Sequence, residues 1–306
     1  IRSTTLTAKD RICPNPAREC IPGRCDLLDG YFKHSHRAMS QALEYEDFTR
    51  VRIETVAENK HICPFELGLD LAFISDVIIG DYNHALDPRA RLTRFFERDK
   101  GPKILLFDEA HNLVERSRAI FSATLAKGML PSLARALKAP WPECSKAIEA
   151  LNTWFLESFR DRQSGPGAFI AEHEAPWELD FLLDQLVQTI MDGPLRDERF
   201  PEEGLVELYY EARHILSVLE GYGEGHATLY RGGGAKAEVE LACLDPAESL
   251  DQALDLEGAA IFFSATLGPA EYYSRMFGFR NTDCRLSMDS PFPPEHLGLF
   301  VSPVST

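Results

Sequence analysis

No run of about 18 apolar residues occurs in this chain, and its start lacks the succession of basic stretch, apolar stretch and small-residue cleavage site that marks a secretory signal. The first absence removes the expectation of a membrane-spanning helix. The second makes a cytoplasmic location the default. Paired thiols are also wanting, because seven cysteines are an odd number and suit a disulfide framework poorly. Basic residues are in deficit: 32 Lys and Arg face 48 Asp and Glu, for a net charge of −16, which argues at first sight against a phosphate-rich partner. A Gly-x-x-x-x-Gly-Lys-[Ser/Thr] phosphate loop is missing too. The nearest string, "RGGGAK", has the wrong spacing and no hydroxyl after its lysine. Internal repeats and low-complexity tracts are absent as well.

What is present is 306 residues, 44% hydrophobic and 26% charged, enough for one large core or two or three smaller ones in a soluble globular protein. The acid is unevenly spread. Residues 1–63 carry 10 basic and 9 acidic side chains, whereas residues 116–245 carry 13 and 21, so any phosphate contact should favour the N-terminal part.

"DVIIG" and "KILLFDEAHN" are short apolar, β-branched runs bounded by turn formers, which read as buried parallel strands. The second, Lys103 to Asn112, delivers acidic residues at a strand's carboxyl end, where open parallel sheets bind ligands. From Leu113 to about Gly221 the pattern becomes helical throughout, an insertion of ordinary domain size. "ATLYRGGGAKAEVELACL" then alternates around a triple glycine as a hairpin would, and "GAAIFFSATLGPAEYYSRMFGF" gives strand, turn, Gly-Pro breaker and helix. Strand and helix, a helical excursion, then strand again imply an α/β class with one parallel sheet interrupted by an insertion.

The sharpest chemical signal is "DEAH", Asp108 to His111. Hydrolysis of a nucleoside triphosphate needs a carboxylate to hold Mg2+ against the phosphates and a second group to orient the attacking water. Asp108 suits the first need and Glu109 the second. A solvated acidic turn is the bland alternative. Without a phosphate loop in this stretch, either the chain is a piece of a longer protein or the box is vestigial. The strand-like opening "IRSTTLTAKD" favours a piece.

Cys13, Cys20, Cys25 and Cys63 form a second constellation, Cys-x6-Cys-x4-Cys-x37-Cys, with three thiols among Pro and Gly. Four thiolates can hold a 4Fe-4S cluster or a tetrahedral zinc ion, though paired Cys-x2-Cys knuckles are lacking. Four unligated cysteines are the third reading. The segment before residue 64 is expected to have little core of its own. Cys144, Cys243 and Cys284 read as small apolar residues.

Ser-Ala-Thr occurs twice, in "AIFSATL" and "AIFFSATL". The first copy, with Ser122 and Thr124, reads as helix, its charges on one side and Leu113, Val114, Ile120 and Phe121 on the other. The second follows a buried strand and precedes Gly268-Pro269, which leaves Ser264 and Thr266 at the strand's carboxyl edge, within reach of His111.

Taken in order, "LTAKDRICPN", the four cysteines, "CPFELGLDLAFISDVIIGDYNHALDP", "LLFDEAHNL" and "IFFSATLGP" resemble the iron-sulfur DNA helicases of superfamily 2, the XPD/DinG family, and a bacterial DinG-like member more than a eukaryotic one. The resemblance implies a partial RecA-like motor with an iron-sulfur domain at 1–64 and a motor segment at 65–115. An arch-like helical insertion at 116–222 follows, then a return to the motor at 223–282 and the opening of a second motor domain at 283–306. It places the 4Fe-4S cluster on Cys13, Cys20, Cys25 and Cys63, and Mg2+ and ATP chemistry on Asp108, Glu109 and His111. Ser264 and Thr266 would couple the nucleotide to movement, and Lys9 and Arg11 are candidates for DNA contact. The implied activity is ATP-driven 5′-to-3′ unwinding by a monomer acting on single-stranded DNA and duplex junctions, with no membrane partner and little ATP binding by this stretch alone. The alternative from a different class is a non-enzymatic iron-sulfur or zinc module that binds DNA or senses redox state beside a degenerate motor half.

Overall fold

The first strand, β1 (Ser3–Thr5), lies at the centre of a small parallel sheet in a computed structural model that describes residues 1–15, 20, 25–89, 101–162, 168–197, 203–254, 258–280, 282–296 and 298. It is followed by α1 (Lys9–Ile12), α2 (Asp26–Ala42), β2 (Asp47–Phe48), α3 (Arg50–Lys60), α4 (Pro64–Phe73), β3 (Val77–Ile79) and α5 (Asn83–Leu86). β2 and β3 flank β1, with Ser3 opposite both Asp47 and Val77. Pro64 opens α4, where its missing N–H costs nothing, and Glu66 sits in the first turn, where the helix dipole favours an acid.

The expectation of little core before residue 64 is overturned. Phe48, Ile53, Ile62, Leu67 and Leu71 are fully buried in one cluster that spans α2, α3 and α4. The reason lies in close packing rather than in apolar content. A side chain at Gly30 of α2 would meet the His61 carbonyl oxygen at 2.2 Å, so the bare glycine lets the helix settle directly on the turn that carries Ile62 and Cys63.

β4 (Lys103–Phe107) and α6 (Leu113–Ile120) come next. α6 buries Leu113, Val114, Ser117 and Ile120, one face at helical spacing. Here the structure departs from the reading of the first Ser-Ala-Thr. The helix stops at Ile120, and Ala123–Ala126 is a strand, β5, with Ala123 and Leu125 buried and Thr124 exposed. Period-two burial against a distant partner wins over the local helical pattern: Leu125 lies opposite Val239.

The segment to residue 221 is accordingly not helical throughout. β5 is followed by α7 (Leu130–Leu137), α8 (Pro142–Ser158), β6 (Phe169–Glu172), α9 (Trp177–Asp192), α10 (Glu203–Glu220), β7 (His226–Arg231) and β8 (Glu238–Cys243). β7 and β8 are the expected hairpin, with Gly232 and Gly234 at positive φ in its turn. It joins β5 and β6 in an antiparallel sheet of order β5-β8-β7-β6, apart from the parallel strands. Leu151, Phe155, Leu183, Leu186, Leu208, Ile215, Val239 and Leu241 share one core that runs from Ala123 to Leu241. Each fully buried Leu or Ile there contributes about 1.5–3 kcal/mol.

α11 (Ala247–Ala253), β9 (Gly258–Phe262) and α12 (Ala270–Met276) complete the elements that frame the site. β9 pairs in parallel with β4 over five residues, Lys103 opposite Gly258 and Phe107 opposite Phe262. A third core, with Phe107, Leu113, Ile120, Leu250 and Phe277, lies beneath the pair. Among the described residues the parallel strands form a three-stranded and a two-stranded sheet rather than one ladder. No helix of the described residues is long and apolar enough to cross a membrane. Beyond residue 282 they hold only a short 3-10 turn, Pro294–His296, and the rest of the expected second-domain opening, at 297 and 299–306, lies outside them.

Candidate active site

β4 and β9 bring the two motifs together because their ladder continues past both strand ends. Phe263 donates its N–H to Phe107 O at 3.1 Å, and Ala110 donates to Phe263 O at 3.1 Å. Beneath this join the rings of Phe107 and Phe262 stack, 5.0 Å between centroids at 9°. The polar tips therefore project side by side from a packed aromatic base.

The chain turns sharply at the box. Glu109 has φ 48°, a left-handed conformation unusual for a side chain with a Cβ, and its N–H is held by Asp108 Oδ1 at 2.8 Å. Tyr82 closes the turn from the other side: its hydroxyl donates to the carbonyl of Asp108 in a very short contact and lies 3.2 Å from that of Glu109. Burial first, then the nearby charges of Asp108, Asp81 and Glu109, push the Tyr82 phenol above its ordinary pKa, so it stays a donor. Tyr82, in "DYNHALDP", is not among the candidate residues the sequence motifs pick out. An aromatic hydroxyl directly after a Gly-Asp turn was the available signal.

Ser264 sits against two of the box side chains, Glu109 and His111. Its Oγ lies 2.8 Å from His111 Nδ1 and donates to Glu109 Oε2 at 3.3 Å, while Thr266 N–H donates to the same Oγ at 3.2 Å. With the Ser264 hydrogen spent on Glu109, the donor in the His111 contact is Nδ1–H, which fixes the tautomer. His111 Nδ1 also lies 3.2 Å from Glu109 Oε2. Thr266 takes part through its backbone, its side chain exposed. Asp108 is exposed at the strand end, and beside the box opens a cleft of about 520 Å³ lined by Asp81, Tyr82, Asn112, Glu115 and Arg116. The arrangement offers one exposed carboxylate for a cation, a second anchored through one oxygen, and a hydroxyl–imidazole link between two strands.

The four thiols lie around the α1 and α4 termini. Cys25 and Cys63 are buried N-caps of α2 and α4, Cys13 follows α1, and Cys20 is exposed. Leu27 O accepts the Cys63 N–H at 2.8 Å, and Asn15 Nδ2 approaches Cys25 Sγ at 3.9 Å. Burial raises the Cys63 thiol pKa against hydrogen bonds from the Glu66 and Phe65 backbone, with Glu66 and Cys13 adding charge. Among the described residues no group of three or more His, Cys, Asp or Glu is already gathered as a metal site. The donor set is nonetheless four soft thiols, two of them at helix N-termini.

Lys9 and Arg11 part company. Lys9 is half-buried, its ammonium 5.4 Å from the Phe65 ring; burial lowers its pKa, but a hydrogen bond to Cys20 and the charges of Cys20, Glu66 and Cys63 raise it overall. Arg11 is exposed.

Residues 1–130 match the family model described as "DEAD_2". Two solved structures share the fold: "XPD_Helicase", at TM-score 0.52, 17% identity, 92% of this chain and 48% of that one, and "Truncated XPD", at TM-score 0.52, 15% identity, 94% and 80%. Over residues 1–130 the chain is similar to that family, and as a whole it shares the fold of these two structures. Among curated proteins it is similar to the "Regulator of telomere elongation helicase 1 homolog" of Anopheles gambiae, 25% identical over 205 residues, and to that of Oryza sativa subsp. japonica, 23% over 252 residues. These matches cover 61% and 79% of this chain but only 18% and 23% of the relatives, so the chain spans about a fifth of their length.

Proposed function

We propose that this chain supplies part of the motor of an ATP-dependent DNA helicase that translocates 5′-to-3′ on single-stranded DNA and opens duplex junctions. The observation that carries the reading is the three-way contact of Glu109, His111 and Ser264, which joins motifs 153 and 155 residues apart. A vestigial box would have no need to keep that link, and the non-enzymatic module is the less favoured reading for this reason.

In this mechanism Asp108 would hold Mg2+, which would supply positive charge against the developing phosphate charge. Glu109 is the base. Its Oε2 is anchored by Ser264 and His111, so Oε1 is the atom that takes the proton of the attacking water. A change in the charge of Glu109 alters its bond to Ser264, and β9 carries that change toward α12. Cys13, Cys20, Cys25 and Cys63 would hold a 4Fe-4S cluster, and through it would tie the stretch before α2 to the start of α4. Exposed Arg11 is the better placed of the two candidates for a phosphate contact, since Lys9 is engaged with Cys20. The proposed division keeps a cysteine-bearing unit, a motor and an arch-like insertion. The insertion runs from β5 through β8 rather than ending at residue 222.

The test is steady-state ATP hydrolysis, with and without single-stranded DNA, by the gene product that carries this chain and a phosphate loop. Glu109→Gln should reduce the DNA-stimulated rate by about 10²–10⁴-fold. A parent that hydrolyses no ATP, or a variant as active as the parent, would sink the proposal. Iron with a broad visible absorbance band supports the cluster; a colourless protein with stoichiometric zinc overturns it.

A further inference from the structure

Away from the motor, the insertion carries a second concave surface, a cleft of about 580 Å³ where β6 runs into α9 and α10 into β7. Its walls include His173, Glu174, Trp177, Tyr222, Glu224 and His226. The framework is fixed by hydrogen bonds. Tyr222 Oη pairs with Thr228 Oγ1 at 3.0 Å, and Thr228 Oγ1 donates to Glu174 O at 2.9 Å, which ties both walls to β7. The Tyr222 ring stacks on buried His226, 5.1 Å between centroids at 29°. Gly223 N–H donates to His226 Nδ1 at 3.3 Å, so that imidazole is a neutral floor rather than a charge.

The chemistry of the walls selects one kind of guest. Trp177 is 59% exposed, a large aromatic surface left in water at the rim. Glu174 and Glu224 are exposed carboxylates, and the Glu248 carboxylate comes close to Gly223. No Lys or Arg is among the described lining residues. Aromatic faces beside carboxylates attract a flat cation and repel phosphate, and the surrounding insertion, with 13 basic and 21 acidic residues in 116–245, strengthens that field.

We infer that this cleft is a docking site for an arginine side chain presented by a basic peptide segment of a partner protein. The guanidinium stacks on Trp177 and pairs with Glu174 and Glu224, while the neighbouring peptide lies along the rim. The site is independent of the ATP chemistry, so it stands or falls apart from the helicase reading.

Fluorescence anisotropy of a labelled glycine-spaced tri-arginine peptide with the 306-residue chain tests it. The parent should bind saturably. The citrulline counterpart, the Trp177→Ala chain and the Glu174→Gln/Glu224→Gln chain should each bind at least about tenfold more weakly. Glu143→Gln/Glu149→Gln, which removes as much charge from the distant α8 surface, should bind like the parent. Equal binding of the citrulline peptide or by Trp177→Ala, an equal loss in the α8 pair, or displacement of the peptide by an oligothymidylate would each overturn the assignment.

Discussion

Two helical glycines of the N-terminal unit should respond in opposite directions to the same change. At Gly68 of α4 an added methyl would meet only the Ile53 Cδ1 atom, at 3.7 Å, an ordinary contact. Gly68→Ala should therefore stabilise by about 0.5–1 kcal/mol, the helix-propensity difference. At Gly30 the same methyl would lie 2.2 Å from the His61 carbonyl oxygen and 3.3 Å from its carbon. Relieving that overlap moves α2 by roughly 1 Å, and overpacking of this kind costs about 1–3 kcal/mol, which exceeds the propensity gain. Gly30→Ala should thus destabilise by about 1–2 kcal/mol. The displacement has a local signature, since Leu27 O accepts the Cys63 N–H and Cys25 caps the same helix. Tryptophan fluorescence is blind to this unit, because Trp141, Trp154 and Trp177 all lie in the insertion. Hydrogen exchange of peptides from α2 and α4, with metal content in parallel, is the fitting assay. Protection in Gly30→Ala equal to or above the parent, or lost protection in Gly68→Ala, would refute the packing argument.

Cys63→Ser should loosen the stretch before α2 while the cores of α3–α4 and the insertion hold; limited proteolysis that cuts parent and variant alike, or that cuts the insertion first, would contradict this. Burial, reinforced by Arg89, holds His214 below the ordinary histidine pKa, and burial does the same for His226. Both groups then protonate more readily when unfolded, so their contribution is present above about pH 6.5 and is lost as the pH falls below it. Urea midpoints followed by tryptophan fluorescence should decline on acidification less in His214→Gln/His226→Gln than in the parent, and an unchanged slope would refute the assignment. Tyr82→Phe keeps the ring and removes the donor to the Asp108 and Glu109 carbonyls. Losing those bonds at an exposed turn should cost about 0.5–1.5 kcal/mol locally and raise exchange at residues 108–111, whereas unchanged exchange would deny Tyr82 its role.

Legibility in the sequence followed the range of the interactions. "KILLFDEAH" was readable because four apolar residues, a turn and the chemistry are contiguous, and the second Ser-Ala-Thr was readable because a strand precedes it and Gly-Pro ends it. The hairpin at 226–243 announced itself through glycine. β5 and β6 did not, for each has four residues and its pairing partner lies far along the chain. A strand of that length has no periodicity strong enough to outweigh a helical context. The N-terminal core was hidden because α3 has almost no segregation of apolar and polar residues; its buried Ile53, Val56 and Ala57 are few and count only once α2 is pressed against them.

The two ends of the insertion lie side by side. Ser122 Oγ accepts the Cys243 N–H at 2.8 Å, and Arg118 Nε donates to Leu244 O at 2.8 Å, so the chain departs and returns through one hydrogen-bonded neck. A body grafted through adjacent termini behaves as a cassette: it can be exchanged, shortened or circularly permuted without asking the host to reopen its own strands. The first Ser-Ala-Thr, which stands closer to the box in sequence than the copy that touches it, is thus the stitch that closes the graft.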